Sequence, residues 1–529
     1  MSIEKFTEQI EKGYATEGAF FELGAAMFNN EPVEGLHVKI PLKTVNRHGL
    51  IAGATGTGKT KTLQVISEQL SNAGVPVLLM DIKGDLSGIA KANAGHPKID
   101  ERHQKIGLSY EPKGFPVELL TLSEEKGVKL RATVTEFGPV LFSKILDLSD
   151  AQQGVVAIIF KYCDDNKLPL IDLKDFKKML NYITKEGADK IEQLYGKVST
   201  ASTGSILRKI IELESQGAER FFGERSFDPE DLMHISEDGT AQISVLRLVD
   251  IQDKPKLFST FMLSLLAEIY ATFPEQGDAD KPKLAIFIDE AHLIFDKATG
   301  ALLDQIEAIV KLIRSKGVGL FFVTQNPMDV PDAILGQLGL KIQHALRAFT
   351  AKDRKAIKLT AENYPISDFY NTDEVLTSLG IGEALVTALS EKGIPTPLAA
   401  TYLRAPQSRM DVLSKSEIDD LVGSSKLVEK YYEEIDRESA FEILTAKIEE
   451  AQSEEHQKEL KAQQVKAEKT VKEGKGESGG TEKKEDSFVN ELSKNTMVRQ
   501  MGRTLLREVS RGLLGALGVR TPRRRRRMF

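Results

Sequence analysis

The chain has 529 residues, 41% of them hydrophobic and 28% charged, and a formal net charge of −7. This length is too great for a single hydrophobic core, so we expect two or more folded units. No stretch approaches the roughly 18 uninterrupted apolar residues of a membrane span, and residues 1–24 carry Glu and Lys throughout instead of the apolar core of a secretory signal. The sequence therefore argues against an integral membrane protein and predicts a cytoplasmic one.

The charge is unevenly distributed along the chain. Residues 488–529 contain eleven Lys or Arg and two Glu, a net charge of +9, which leaves −16 for residues 1–487. An acidic body and a basic tail are therefore considered separately. The single cysteine, Cys163, cannot form an internal disulfide and has no Cys or His neighbours at metal-binding spacing. We expect Cys163 to be a buried apolar side chain, and no zinc site is predicted.

Short apolar runs predict a series of strands. Near-continuous runs such as Val75 to Asp81 suit strands that are buried on both faces of a parallel sheet. Asp81 then lies at the C-terminal end of a strand, where open α/β sheets bind their ligands. The predicted strands are 36–42, 50–52, 75–81, 241–248, 284–288, 318–324, 341–346 and 383–387.

Helical periodicity replaces the strand pattern between residues 142 and 232, where apolar residues such as Ile206, Leu207 and Ile210 recur at helical spacing. This segment predicts an all-helical module inserted into the α/β domain. A further buried or amphipathic helix is predicted at 258–273. Strands alternating with helices predict a doubly wound, mostly parallel sheet.

Residues Gly53 to Thr60 read Gly-Ala-Thr-Gly-Thr-Gly-Lys-Thr, a complete G-x-x-x-x-G-K-[ST] phosphate loop between a predicted strand and a helical pattern. Glycines let the backbone N–H groups and the helix N-terminus face one anionic group. Lys59 is expected to reach the β- and γ-phosphates of ATP, and the Thr60 hydroxyl to bind Mg²⁺. The predicted nucleotide contacts are Gly53, Ala54, Thr55, Gly56, Thr57, Gly58, Lys59, Thr60 and Lys61.

The apolar run 284–288 ends in Asp289-Glu290-Ala291-His292, which has the form of a Walker B segment. An acidic residue at a strand tip can hold Mg²⁺ through water, and a second carboxylate can orient or deprotonate the attacking water. We assign Asp289 to the metal and Glu290 to the water. His292 either reads the nucleotide state or serves as a helix-capping or packing residue.

The run 318–324 delivers Thr324 and Gln325 to the same predicted edge of the sheet as Asp289. The Gln325 amide can sense the γ-phosphate or hold the water, and a simple strand-end hydrogen bond is the alternative. Arg314 and Arg347 are expected near that edge, where an arginine from a neighbouring subunit can stabilise the transferred γ-phosphoryl. Each of them could equally be a surface or ion-pair arginine.

The order of these motifs closely resembles the HerA-like ATPases of the FtsK/HerA superfamily, specifically the bacterial YjgR-type group, over about residues 15–405. The resemblance also rests on Gln343-His344-Ala345-Leu346-Arg347-Ala348-Phe349-Thr350 and Gly380-Ile381-Gly382-Glu383-Ala384-Leu385-Val386, which P-loop proteins in general do not share. It implies a RecA-like core, ATP hydrolysis, a homo-hexameric ring and, for the best-known members, DNA translocation. By matching motif, it gives the ATPase roles to Lys59, Thr60, Asp289, Glu290 and Gln325.

Two related groups fit less well. Archaeal HerA proteins that work with a nuclease carry an N-terminal β-barrel, and too few residues precede Lys59 for that barrel, so a nuclease-coupled role is not expected. The string Asp289 to His292 is also found in DEAH-type helicases. The long gap after the phosphate loop and the lack of a second RecA-like domain with its own arginine motif argue against that group.

The domain organisation follows from these features. We expect an α/β protein with a RecA-like P-loop core, an inserted helical module and a helical C-terminal extension. The predicted parts are 1–141 and 236–405 for the ATPase core, 142–235 for the helical insertion, 406–461 for the charged helical extension, 462–487 for a flexible linker and 488–529 for the basic amphipathic tail.

The leading hypothesis is a Mg²⁺-dependent ATPase that forms a hexamer and acts on DNA. Because the body is acidic, DNA contact would need a basic lining of a central pore. The alternative is an ATP-gated assembly or regulatory switch that hydrolyses slowly and binds a protein partner, and a small-molecule kinase fits less well. In the tail, Arg499, Arg503, Arg507 and Arg511 recur beside an apolar stripe. Docking on the body, nucleic-acid contact and attachment to an anionic membrane surface all remain open for this tail.

Overall fold

The structure is a computed structural model, which describes residues 2–450 and 453 except 278, 296–299, 434 and 436. The predicted linker at 462–487 and the basic tail at 488–529 lie outside the described residues. The chain divides into two compact units, the first comprising residues 1–132 and 213–435 and the second comprising residues 133–212 with the described residues beyond 436. Within the described ranges, no helix has the length and apolar character needed to cross a membrane.

The first unit contains a sheet of twelve strands among the described residues, in the order β2-β1-β12-β11-β10-β3-β9-β8-β4-β7-β5-β6. The strands are β1 Phe20–Phe28, β2 Glu31–Pro41, β3 Gly49–Ala52, β4 Val77–Asp81, β5 Val117–Thr121, β6 Val128–Lys129, β7 Ile243–Arg247, β8 Leu284–Ile288, β9 Val318–Thr324, β10 Leu340–Gln343, β11 Glu383–Thr387 and β12 Ala399–Leu403.

Most of this sheet is parallel. All neighbours from β10 to β6 pair in parallel, whereas β2, β1, β12 and β11 extend the sheet in antiparallel fashion. Every residue of β4, β8 and β9 is buried, because helices cover both faces of a parallel sheet. β3, which leads into the phosphate loop, lies between β10 and β9, and β8, which leads into Asp289, is the next strand after β9. This mostly parallel arrangement confirms the α/β class and the RecA-like core.

The helices of the first unit are α1 Ile3–Gly13, α2 Lys59–Asn72, α3 Pro97–Ile106, α9 Pro255–Thr272, α10 His292–Phe295, α11 Gly300–Ile313, α12 Asp332–Leu335, α13 Ala351–Glu362, α14 Thr372–Ser378, α15 Lys415–Gly423 and α16 Lys426–Tyr432. Those of the second unit are α4 Val134–Ile145, α5 Asp150–Asn166, α6 Leu173–Tyr182, α7 Ala188–Tyr195 and α8 Thr200–Ser215, whose last three residues belong to the first unit.

The second unit is helical, as its periodicity indicates, and it has an aromatic core. The ring centroids of Phe142 and Phe176 are 4.8 Å apart, and those of Phe142 and Phe160 are 6.1 Å apart. Cys163 is buried in α5 of this unit. The helical segment begins earlier than the predicted residue 142, because a capping box formed by Thr133 and Glu136 starts α4.

The segment between β12 and α15 differs from the charged helix predicted after residue 405. Residues 404–414 form no helix and are tied to α2 of the same unit. The buried carboxylate of Glu68 accepts hydrogen bonds from the backbone N–H groups of Gln407, at 2.8 Å, and Ser408, at 3.0 Å. These backbone groups are satisfied by a side chain of α2 and not by helical hydrogen bonds of their own.

Candidate nucleotide-binding site

The phosphate loop joins the end of β3 to the start of α2. Gly53, Gly56 and Gly58 have φ angles of 152°, 79° and 111°, a region that residues with side chains rarely adopt. Gly53 also leaves no room for a side chain, since a Cβ atom there would lie 2.5 Å from Cβ of His344. Gly58 is the N-cap of α2 and gives no side-chain hydrogen bond to the helix. The N–H groups at this helix start are therefore suited to an anion.

Lys59 begins α2, and its side chain folds back over the loop. Its Nζ donates hydrogen bonds to the backbone oxygens of Gly53, at 2.6 Å, and Ala54, at 3.1 Å. Burial lowers the pKa of Lys59 below its ordinary value, and the neighbouring charge of Lys83 lowers this pKa further. The lysine ammonium therefore lies inside the loop.

The other polar side chains of the loop have different surroundings. Thr55 is exposed, Thr57 is buried and Thr60, in the first turn of α2, is partly exposed. The side chain of Lys61 does not face the loop, because its Nζ donates a hydrogen bond to the backbone oxygen of Met410 at 2.6 Å. A phosphate contact by Lys61 would therefore have to come from its backbone.

Asp289 follows β8 and is buried at the carboxyl edge of the sheet. Burial raises the pKa of Asp289 to about 6, although the nearby Lys83 acts in the opposite direction. Its Oδ1 accepts a hydrogen bond from the backbone N–H of Glu290 at 2.9 Å. Its Oδ2 is buried without a hydrogen-bond partner among the described residues, and it lies 3.9 Å from Nζ of Lys83. A buried carboxylate oxygen of this kind fits a metal ligand.

Glu290 is buried beside Asp289 and has an unusual backbone. Its φ angle of 46° places a residue with a side chain in the left-handed region. Its Oε1 forms an ion pair with Nζ of Lys83. Its Oε2 lies 3.1 Å from Nδ1 of His292, without the geometry of a hydrogen bond. His292 therefore lies against the carboxylate that sequence motifs assign to the attacking water.

Gln325 follows β9, which lies between β3 and β8 in the sheet. Its Oε1 accepts a hydrogen bond from Oγ1 of Thr55 in the phosphate loop, at 3.4 Å. The preceding Thr324 has a structural contact, because its Oγ1 donates to Asp329 at 2.7 Å. The structure thus brings Gln325 to the phosphate loop, and the expectation that it shares an edge with Asp289 agrees with the strand order.

The two candidate arginines lie at opposite edges of the sheet. Arg347 is exposed after β10, close to Ala345, whose backbone oxygen accepts a hydrogen bond from the N–H of Ala54 at 2.9 Å. Arg314 is also exposed, but it precedes β9. A residue before a parallel strand lies at the amino edge, so the expectation that Arg314 lies near the same edge as Asp289 is wrong.

The last residue of β4, Asp81, and Lys83 in the turn that follows it also lie at the site, and no sequence motif gave Lys83 a role. Asp81 accepts hydrogen bonds from the backbone N–H groups of Gly84, at 2.7 Å, and Leu86, at 3.1 Å. Burial raises the pKa of Asp81 to about 6. This carboxylate shapes the turn that carries Lys83 to Glu290. The sequence shows a polar turn after a buried strand, which is a signal for a site residue. The contact of Lys83 with Glu290 was not predictable, because the two residues are far apart in sequence.

Two further residues support the phosphate loop from outside. The Nε2 atom of His344 lies 2.9 Å from Oγ1 of Thr62, and burial, with the charge of Lys59, lowers the pKa of His344 to about 4. Arg102 donates a hydrogen bond to the backbone oxygen of Gly382 at 3.1 Å. The N–H of Gly382 in turn donates to the backbone oxygen of the loop residue Thr57 at 3.0 Å.

Comparisons with known proteins identify a family and several proteins to which the chain is similar. The family described as Helicase HerA-like C-terminal matches residues 27–524. The DNA double-strand break repair helicase HerA of Saccharolobus solfataricus is 23% identical over 385 residues, covering 72% of this chain and 68% of that protein. HerA of Sulfolobus acidocaldarius is 22% identical over 354 residues, covering 66% of this chain but less than two thirds, 64%, of that protein. Among solved structures, the bacterial conjugative coupling protein TrwBdeltaN70 has a TM-score of 0.48 at 13% identity, covering 77% of this chain and 94% of that one. Because the family match spans most of the sequence, the chain belongs to the HerA-like C-terminal helicase family.

Proposed function

We propose that this protein hydrolyses ATP in a Mg²⁺-dependent reaction and acts as a ring-forming motor on DNA. The observation that carries the proposal is the meeting of three strand ends at one edge of the sheet. β3 leads into the phosphate loop, β8 ends before Asp289 and Glu290, and β9 ends before Gln325. This arrangement supplies phosphate-binding, metal-binding and water-activating groups together.

Each group in the site has a defined part in this proposal. The loop from Gly53 to Thr60 binds the phosphates through its backbone N–H groups and through Lys59. The buried Oδ2 of Asp289, which has no hydrogen-bond partner among the described residues, and the hydroxyl of Thr60 would hold Mg²⁺. When bound, Mg²⁺ neutralises charge on the phosphate oxygens.

Glu290 serves as the general base in this proposal. Its carboxylate takes a proton from the water that attacks the γ-phosphorus, and the bond from phosphorus to the β–γ bridging oxygen breaks. Gln325 orients that water or senses the γ-phosphate. The hydrogen bond from Thr55 to Gln325 couples this amide to the phosphate loop.

DNA and the ring are proposed from the family and from the position of one arginine. The two archaeal relatives are named as DNA double-strand break repair helicases, which favours DNA as the substrate here. Arg347 is exposed at the carboxyl edge beside the phosphate loop. At this position an arginine is open to contact with the nucleotide site of a neighbouring subunit. We propose a homo-hexamer in which arginines act between subunits.

The effect of DNA on ATP hydrolysis tests the proposal. We expect duplex DNA to raise the steady-state hydrolysis rate of the full chain in Mg²⁺ buffer at low salt, and the stimulation to fall as salt rises. Lys59→Ala protein is the control and should show neither basal nor stimulated hydrolysis. Hydrolysis that single-stranded and duplex DNA leave unchanged would contradict the DNA motor.

One observation favours the second candidate, an ATP-gated switch with a protein partner. In the structure, Oε1 of the proposed base Glu290 is held by Lys83. A base held by an ion pair suits slow hydrolysis of ATP, which becomes faster when binding of a partner opens the pair. Under this candidate DNA has no effect on the rate, so the DNA experiment separates the two functions.

A further inference from the structure

We propose that Lys83 is a positioning residue that restrains the general base Glu290, and that their ion pair must open before Glu290 can accept a proton from water. This inference rests on the proposed ATP hydrolysis and adds a control element to the same site. It assigns a function to the turn after β4.

The ion pair covers the solvent side of the two site carboxylates. The side chain of Lys83 is 38% exposed, whereas those of Glu290 and Asp289 are 8% and 4% exposed. Its Nζ contacts Oε1 of Glu290 and lies 3.9 Å from Oδ2 of Asp289. Because the other oxygen of Glu290 lies 3.1 Å from His292, protein groups neighbour both oxygens of the base. Lys83 therefore occupies one hydrogen-bonding position on Oε1, and in our proposal the attacking water takes that position when Lys83 moves away.

Glu290 is the less mobile partner of the pair. Its N–H donates a hydrogen bond to Asp289 at 2.9 Å, and its backbone oxygen accepts one from Leu293 at 2.9 Å. Its left-handed backbone, with φ of 46°, persists because such contacts hold it. Lys83 has a flexible four-carbon side chain and a half-exposed position. Opening of the pair therefore occurs by movement of Lys83.

The turn that carries Lys83 is itself connected to the segment that follows β7. The backbone oxygen of Ile82 accepts a hydrogen bond from Nε2 of Gln252 at 2.6 Å. The N–H of Leu248 donates to the backbone oxygen of Asp81 at 2.9 Å. These contacts fix the backbone of the turn while leaving the lysine side chain free to exchange partners.

ATP itself provides a competing partner for Lys83. Lys83 lies against Glu290 and Asp289 at the carboxyl edge of the sheet, where β3 also leads into the phosphate loop that holds Lys59. The triphosphate adds several negative charges at this loop, and they attract the more exposed cation. The bound nucleotide weakens the ion pair without abolishing it, so opening of the pair still limits kcat in the ATP-bound protein.

The test compares Lys83→Met with Lys83→Arg in steady-state ATP hydrolysis without DNA. Loss of one half-exposed ion pair should raise kcat of Lys83→Met by about three- to ten-fold. Lys83→Arg keeps the pair and should stay near the wild-type kcat. Lys105→Met is the matched control, because it removes a surface lysine that pairs with Glu101 on α3, and it should leave kcat unchanged. Thermal unfolding of each variant verifies the fold.

Three outcomes decide the matter. A higher kcat for Lys83→Met alone supports the restraint. A lower kcat that Lys83→Arg restores would overturn it and make Lys83 a catalytic cation, and an unchanged kcat would also overturn it. Lys59→Ala distinguishes these results from failure of the proposed function. If wild-type and Lys59→Ala proteins release phosphate at the same background rate, ATP hydrolysis by this site is refuted whatever Lys83 does.

Discussion

Glu290 shows how several physical constraints meet at a single residue. It is buried, it has a left-handed backbone, and its carboxylate contacts both Lys83 and His292. A glycine would adopt this backbone without strain, so a packing role alone does not explain a glutamate here. The residue is explained by the chemistry of its carboxylate.

The left-handed backbone at position 290 predicts different stabilities for two inactive variants. Glu290→Gly and Glu290→Ala both remove the carboxylate and should abolish ATP hydrolysis. The glycine variant should be more stable than the alanine variant by about 1 kcal/mol, because only alanine retains the left-handed strain. Thermal unfolding of the two proteins measures the difference. Equal unfolding midpoints would show that the backbone of Glu290 is not strained.

At the scale of single elements, His48 connects a helix to the sheet at the edge opposite the phosphate loop. Its Nε2 donates to the backbone oxygen of Val310 in α11 at 2.8 Å, and its Nδ1 accepts from the N–H of Leu320 in β9 at 3.0 Å. Burial lowers the pKa of His48 from 6.5 to about 4. The folded protein therefore holds this imidazole neutral.

His48→Gln makes this connection testable by pH. Between pH 6.5 and 4 the unfolded chain binds a proton at His48 that the folded chain does not. The stabilisation by neutral His48 is therefore complete above pH 6.5 and is lost as the pH falls towards 4. We expect wild-type protein to be more stable than His48→Gln at pH 7.5, and this advantage to shrink by about 2 kcal/mol at pH 5. A pH-independent difference in unfolding midpoint would contradict the assignment.

The elements that the sequence predicts best are buried strands. The predicted bounds 284–288, 318–324 and 383–387 coincide with β8, β9 and β11, because long apolar runs have few other structures available. β1, β5, β6 and β12 were not predicted. In β1, Gly24 interrupts the pattern, and it is needed there because a Cβ would lie 2.0 Å from the backbone oxygen of Tyr402 in β12.

The site is predictable where a motif places residues close together in sequence. The phosphate loop, Asp289 and Glu290 follow from local patterns. The contact of Lys83 with Glu290 does not, because it depends on β4 lying beside β8. Arg314 was misplaced for a similar reason, since the edge at which it lies depends on the direction of β9.

In the proposed homo-hexamer, each subunit supplies an arginine to the nucleotide site of its neighbour. Arg347 lies at the carboxyl edge beside the phosphate loop of its own chain, so it is a candidate for action within a subunit as well as between subunits. Arg314 lies at the amino edge and can act only across a subunit boundary. Both assignments are proposals that mixed rings can test.

We predict that mixing Lys59→Ala protein with Arg347→Ala protein restores part of the hydrolysis that each lacks alone. Recovery requires an intact loop of one subunit to meet an intact arginine of its neighbour. A mixture of Lys59→Ala with the double variant Lys59→Ala/Arg347→Ala is the control and should stay inactive. The same experiment with Arg314→Ala examines the second arginine. Absence of recovery from assembled rings, for both arginines, argues against action in trans.

Phosphate release by Glu290→Gln protein, measured together with ATP binding, directly tests whether Glu290 is the general base of ATP hydrolysis. The substitution keeps the size of the side chain and removes the base, so ATP should bind with wild-type affinity while phosphate release falls at least about a hundredfold. Wild-type protein should release phosphate in the presence of Mg²⁺ and lose this activity when Mg²⁺ is chelated. Phosphate release by Glu290→Gln at the wild-type rate would show that Glu290 is not the general base.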